Sequence, residues 1–198
     1  QVESYTRFRV LGRTVDDAAG EAFDKVARTL GLGYPGGPAV AKAALGGSET
    51  AYPLPTPHVE GAYNVSFSGL KTAVLNAVNR ARQAGEEVDV PGMAASFQWR
   101  ITEILAEKLL AAARDTGAAR ICIAGGVGAN EALRRKVQQG AQALGAQVFL
   151  PQLSLCGDNA AMVAAQGYYE FLAGHTAHSN LNGLPTLGID DESLDGPR

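Results

Sequence analysis

The chain has 198 residues, 46% apolar and 19% charged, which is enough apolar side chain for a core of its own and excludes a disordered segment. A formal charge of −3 excludes a chain that holds nucleic acid by a dense basic surface alone. Its two cysteines, Cys122 and Cys156, have neither the density of a disulfide framework nor CxxC spacing, so a reducing cytoplasm is the expected compartment, and no apolar run is long enough for a membrane span.

Gln1 to Leu11 interleaves Val2, Tyr5, Phe8 and Val10 with polar residues and stops at Gly12, which predicts a strand. With no initiating Met and no leader, that strand is expected to continue an upstream segment. From Val15 to Leu30 the apolar residues recur three and four apart, which predicts a helix capped by Thr14 and stopped by Gly31 or Gly33. YPGGP, Tyr34 to Pro38, predicts a turn with Gly36 and Gly37 at positive φ, followed by a short helix from Ala39 to Leu45. The Pro-rich loop from Tyr52 to Pro57 is long for a compact domain and so is either functional or covered.

Ser66 to Arg82 reads as a helix capped by Ser66 or Ser68, and Pro91 to Thr116 as a long one with Ala94, Phe97, Ile101, Leu105, Leu109 and Ala112 on one stripe. Next come a strand from Ala119 to Ala124, a Gly-rich turn, a helix from Glu131 to Leu144 and a strand from Ala146 to Leu150, a crossover that predicts a parallel pair. A last helix is expected from about Asn159 to Ala173 with Asp158 as its N-cap, and residues 175–198 read as a loose tail. The class is α/β.

Several segments could carry chemistry. GGVGAN, Gly125 to Asn130, lies between a strand and a helix, where amides and the helix dipole attract anions; an ordinary βα turn capped by Asn130 fits it equally. Asp17, Gly20, Glu21, Asp24 and Arg28 are spaced to share one helix face, suiting ribose hydroxyls or, alternatively, Glu21–Lys25 and Asp24–Arg28 ion pairs on a solvated face. SFSGLK, Ser66 to Lys71, could receive a phosphate or carboxylate at a helix start. His58, His175 and His178 form no ligand set with Asp158, and no Ser-His-Asp or Cys-His nucleophile arrangement is evident.

DDAAGEAFDKVARTLGLGYPGGP (Asp16 to Pro38), SFSGLK, GGVGAN and CGDNAAM (Cys156 to Met162) occur in the order and spacing of the TsaD family, historically the glycoprotease family, which the chain resembles as far as about Ala173. The resemblance implies that residues 1–174 form the C-terminal lobe of an actin/Hsp70-like (ASKHA, RNase H-like) fold, with 175–198 as the tail. It implies transfer of threonylcarbamoyl from threonylcarbamoyl-AMP to the adenosine beside the tRNA anticodon, with TsaB-like and TsaE-like proteins as partners. Within the motifs, Asp24 and Gly37 are implied to contact the adenylate, Glu21 to neighbour the ribose, Asn130 with Gly125 and Gly126 to contact the nucleotide, and Asp158 to bind one divalent metal ion, iron or zinc. The family's other metal ligands, two histidines of an HxxxH motif, are not among these residues. Without the upstream strands, the helices at 15–30 and 91–116 are expected to expose apolar faces. An ATPase or kinase of the same superfold and a non-catalytic nucleotide-binding scaffold are the competing readings.

Overall fold

The computed structural model describes residues 1–177, 182–183 and 188–190; His178 and most of the expected tail lie outside them. The chain divides into two compact units, one of Gly12–Gly157 and one joining Gln1–Leu11 to the chain from Asp158 onward.

In the larger unit, α1 (Ala19–Thr29) buries Ala22, Phe23, Val26 and Ala27, the apolar positions of its three-and-four spacing. It begins four residues later than its periodicity predicts. Thr14 is not its cap; the Thr14 hydroxyl donates to the Asp17 carbonyl, and Thr14 forms a short parallel bridge with Val65, in which the Val15 amide donates to the Val65 carbonyl and the Val65 amide to the Arg13 carbonyl. Asp16 ties this bent segment to residues 66–68: its carboxylate accepts the Phe67 amide at 2.8 Å, the Ser68 amide at 3.3 Å and the Ser66 and Ser68 hydroxyls.

The same contacts correct the reading of α3 (Ser68–Ala84), whose start is capped by Asp16 from 52 residues away rather than by either serine. Burial pushes the Asp16 carboxyl up, but the Phe67 amide, the two hydroxyls and the Ser68 amide outweigh it and hold the pKa down at about 2.

The helix α2 (Gly36–Ala43) begins inside the YPGGP motif, three residues before its expected start. Neither Gly36 nor Gly37 has positive φ, so the expected turn geometry is absent there. Gly36 is required for closeness instead: a Cβ would lie 2.5 Å from the Asp24 Cα and 2.6 Å from the Phe23 carbonyl oxygen. The long α4 (Val90–Asp115), capped by Asp89 through the Gly92 amide, packs Phe97 edge-on against Phe23 of α1 with centroids 5.3 Å apart.

One core thus joins α1, α2, α3 and α4, and the apolar faces expected to lie bare on α1 and α4 are covered from within the chain. The Pro-rich loop contributes too, since Leu54 is buried in this core and Thr56 accepts from Arg100.

β1 (Arg120–Cys122) and β2 (Gln147–Phe149) pair in parallel, Ile121 opposite Val148, with α5 (Glu131–Ala143) between them in sequence. This is the predicted crossover, and a second core of Ile121, Ile123, Leu133, Val137 and Ala141 lies beneath it. The predominance of helix with a small parallel sheet is an α/β arrangement.

In the smaller unit the expected strand at Gln1 to Leu11 does not form. The segment turns back on itself: Val2 bridges Phe8 in antiparallel fashion, and the Glu3 and Ser4 amides both donate to the Arg7 carbonyl. Its Tyr5 ring stacks on Tyr169 of α6 (Ala160–Leu172), centroids 3.9 Å apart. Asn159, not Asp158, caps α6 by accepting from the Met162 amide at 2.9 Å. An Asn side chain one position nearer the first turn meets that amide, so Asp158 is left exposed. Among the described residues no helix is long and apolar enough to cross a membrane.

Candidate functional site

Three of the sequence-predicted segments meet in the larger unit. Asp24 on α1 accepts the Gly36 amide with Oδ1 at 2.7 Å, joining the polar face of α1 to the start of α2. Asp24 therefore does not form the expected pair with Arg28, and its Oδ2 has no partner among the described residues. Gly20, the one residue of that face without a side chain, lies beside Val127 of the glycine turn; a Cβ built on it would be 3.7 Å from Val127 Cγ2.

The turn itself, Gly126–Ala129, is a single 3-10 turn entered through Gly125 at φ 81°, a conformation L side chains seldom adopt. Asn130 caps α5, its Oδ1 accepting from Leu133 N at 3.1 Å, and turns its Nδ2 to Gln98 of α4 at 2.9 Å.

Asp24, Gly20, the turn and Asn130 are thereby linked through α1, α2 and α4. At Gly37, Gly125 and Gly126 a Cβ would meet nothing within 4 Å, so the backbone there borders open space. This is the geometry in which backbone amides can approach a ligand directly.

The charges beside it are largely paired. Lys25 lies 2.8 Å from Asp17 and 2.6 Å from Glu21, so the expected Glu21–Lys25 pair forms, and Lys71 reaches Asp17 at 3.4 Å. The hydrogen bond from Lys25, aided by Lys71 and opposed by burial, holds the Asp17 carboxyl below the usual carboxylate range, and Lys25 is raised in turn by Asp17 and Glu21. SFSGLK, read as a possible seat for an anion, receives carboxylates of this chain: Asp16 at its serines and amides, Asp17 at its lysine.

Asp158 belongs to the smaller unit and is exposed. Among the described residues no group of three or more His, Cys, Asp or Glu side chains is placed to hold a metal ion, so these residues by themselves do not make a metal site. A groove of about 520 Å³ between α4 and α5, lined in part by Glu103, Glu107, Arg114 and Lys136, contains none of the expected site residues.

Sequence reasoning missed Gln98, which positions Asn130, and Asp16, which organises the start of α3. Gln98 interrupts no pattern, since it follows Phe97 on the polar side of a long stripe. Asp16 carried a signal in standing in the first turn of the predicted helix, where carboxylates favour N-termini, but the N-terminus it serves is that of another helix.

A family model described as "TsaD: tRNA N6-adenosine threonylcarbamoyltransferase" matches residues 1–165. A protein of that name from Desulfitobacterium hafniense is 50% identical over 188 residues, covering 94% of this chain and 55% of its own length. Another from Symbiobacterium thermophilum is 50% identical over 183 residues, covering 92% and 53%, and one from Moorella thermoacetica is 47% identical over 190, covering 96% and 56%. The chain spans about half the length of the curated relatives it matches.

Proposed function

Because the chain belongs to the TsaD family of tRNA N6-adenosine threonylcarbamoyltransferases, we propose that it forms the adenylate-holding part of such an acyltransferase. The reaction is transfer of the threonylcarbamoyl group from threonylcarbamoyl-AMP to the N6 amine of the adenosine beside the tRNA anticodon. The observation that carries the reading is the linkage of Asp24, Gly20, the glycine turn and Asn130 around open backbone at Gly37, Gly125 and Gly126.

An adenine nucleotide suits that surface. The Oδ2 of Asp24, without a partner among the described residues, accepts a hydroxyl or amine, Glu21 lies one turn away for the ribose, and the turn and the start of α5 offer amides and a positive dipole end to a phosphate. In the reaction the N6 amine attacks the carbamoyl carbonyl, the bond to the phosphate oxygen breaks and AMP leaves. A weak nucleophile of this kind gains mainly from positioning, which is the contribution of these residues.

A divalent metal, iron or zinc, belongs to this proposal with Asp158 as one ligand and histidines from outside the chain as others. The α/β unit is read as part of the C-terminal lobe, residues 1–174, of an actin/Hsp70-like fold, working in the cytoplasm with TsaB-like and TsaE-like proteins.

The test is threonylcarbamoyl transfer to tRNA by the complete protein bearing Asp24→Ala or Asn130→Ala. Each should lower kcat/KM about 10-fold or more while leaving the fold intact, since a hydrogen bond to a buried polar ligand is worth about 1–3 kcal/mol. Full activity in both variants would remove these residues from the site.

A further inference from the structure

The side chain of Arg134, in the first turn of α5, makes three hydrogen bonds to parts of the chain remote from one another in sequence. Its Nε donates to the carbonyl of Gly128 in the glycine turn at 2.6 Å. One terminal nitrogen donates to the Pro151 carbonyl at 2.9 Å and to Cys156 Sγ at 3.1 Å. The Cys156 thiol is buried, 4% exposed, and itself donates to the Gln152 carbonyl at 3.6 Å. The Gly128 amide in turn donates to the Gly125 carbonyl at 2.9 Å, and the Arg134 amide to the Asn130 carbonyl at 3.0 Å. The one residue is therefore tied to the glycine turn through its side chain and its backbone, and to the segment that runs into the CGD motif.

We propose that Arg134 is a positioning residue that couples the glycine turn to the Pro151–Cys156 segment, so that a nucleotide on the turn tightens the chain immediately before Asp158. The inference rests on the nucleotide reading of the turn. Its physical basis is the guanidinium: a planar fork with fixed donor directions can hold acceptors on two segments in one register, which a single flexible ammonium cannot do. A ligand that fixes the Gly125 to Gly128 backbone fixes the Gly128 carbonyl, hence the guanidinium, hence the cover over Cys156. The nucleotide and the segment that holds that cysteine then share one positioning element.

Cys156 supplies the readout, because Cys122 is exposed and Cys156 is buried. In a Cys122→Ser background, alkylation of the remaining thiol by iodoacetamide measures opening of the segment around Cys156. With Arg134 present, saturating AMP should slow that alkylation at least 10-fold. In Arg134→Met, AMP should bind at least 10-fold more weakly by calorimetry, and at saturation it should no longer slow alkylation. Arg134→Lys, which keeps the charge and a donor, should recover part of the affinity but not the full protection of the thiol. A merely structural staple would lower the melting temperature in all variants without separating affinity from protection.

If AMP binds the Arg134 protein but leaves alkylation unchanged, the coupling is wrong and the nucleotide reading stands. If AMP fails to bind the Arg134 protein at all, the nucleotide reading falls and the inference with it. Should Arg134→Met not fold, the lysine variant decides alone, since AMP protection equal to that of the Arg134 protein would overturn the proposal.

Discussion

α1 and α4 bury Phe23, Val26, Phe97 and Ile101 almost completely, whereas α6, more apolar on average than either, buries none of its residues and leaves Val163 and Phe171 about two-thirds exposed. In the sequence α1 and α4 carry apolar stripes that need cover, and the residues of α6 are apolar along most of its length. Cover for α1 and α4 comes from α2, α3 and each other, through pairs such as Phe23 and Phe97. The ring of Tyr5 stacks against one residue of α6 and little else is buried there. An apolar stripe states that a helix wants a partner and says nothing of whether the same chain supplies it.

The sharpest way to break this contrast is to truncate one aromatic on each side. Phe97→Ala should destabilise the larger unit by about 3–5 kcal/mol, as the loss of a fully buried ring does. Phe171→Ala should change stability by no more than about 0.5 kcal/mol, as at other exposed sites. Urea denaturation followed by far-UV circular dichroism reads both, and comparable losses would mean that α6 is packed in solution.

Two adjacent glycines sharpen the contrast at the site. Gly36→Ala places a methyl group against the backbone of Phe23 and Asp24 and should cost about 1–3 kcal/mol or more. Gly37→Ala meets open space and should leave the melting temperature nearly unchanged. Thermal melts that rank them the other way would show that α2 does not sit on α1 as described.

These glycines also mark how far the sequence could be read. The elements at 90–115, 120–122, 131–143 and 147–149 were legible because their signals are local: a long unbroken stripe, a short apolar run, and Asn130 standing one residue before a helix. GGVGAN was legible as a turn at a helix start for the same reason. Elsewhere long-range contacts overrode the local pattern. Asp16 reaches 51 residues to the Phe67 amide at the start of α3, and the Val15 amide donates to the Val65 carbonyl where periodicity predicts helix. Gly36 serves closeness to α1, which no local rule could distinguish from a positive-φ turn. The alternating residues at Gln1 to Leu11 resemble a strand, yet they pair with themselves, because alternation records a half-buried surface and not the partner that would make it a strand.

The smallest effect concerns acid. The Asp16 pKa lies at about 2, below the ordinary carboxylate value of 3.8, so its contribution to stability is fully present above about pH 4 and is lost as pH falls through about 2. Allowing for solvent around an exposed residue, the contribution is on the order of 1 kcal/mol. Asp16→Asn should therefore flatten that part of the stability–pH curve, and a wild-type and variant difference that stays constant from pH 5 to pH 2 would contradict the assignment.

On the proposed function, α1, the start of α2 and the glycine turn compose one adenylate surface in the larger unit. Calorimetric titration of AMP into the chain and into Asp24→Ala, Asn130→Ala and Phe171→Ala tests it most directly. Affinity should be at least about 10-fold weaker in the first two variants, from hydrogen bonds worth about 1–3 kcal/mol, and unchanged in the third. Equal affinity in all four proteins, with each one folded, would contradict it.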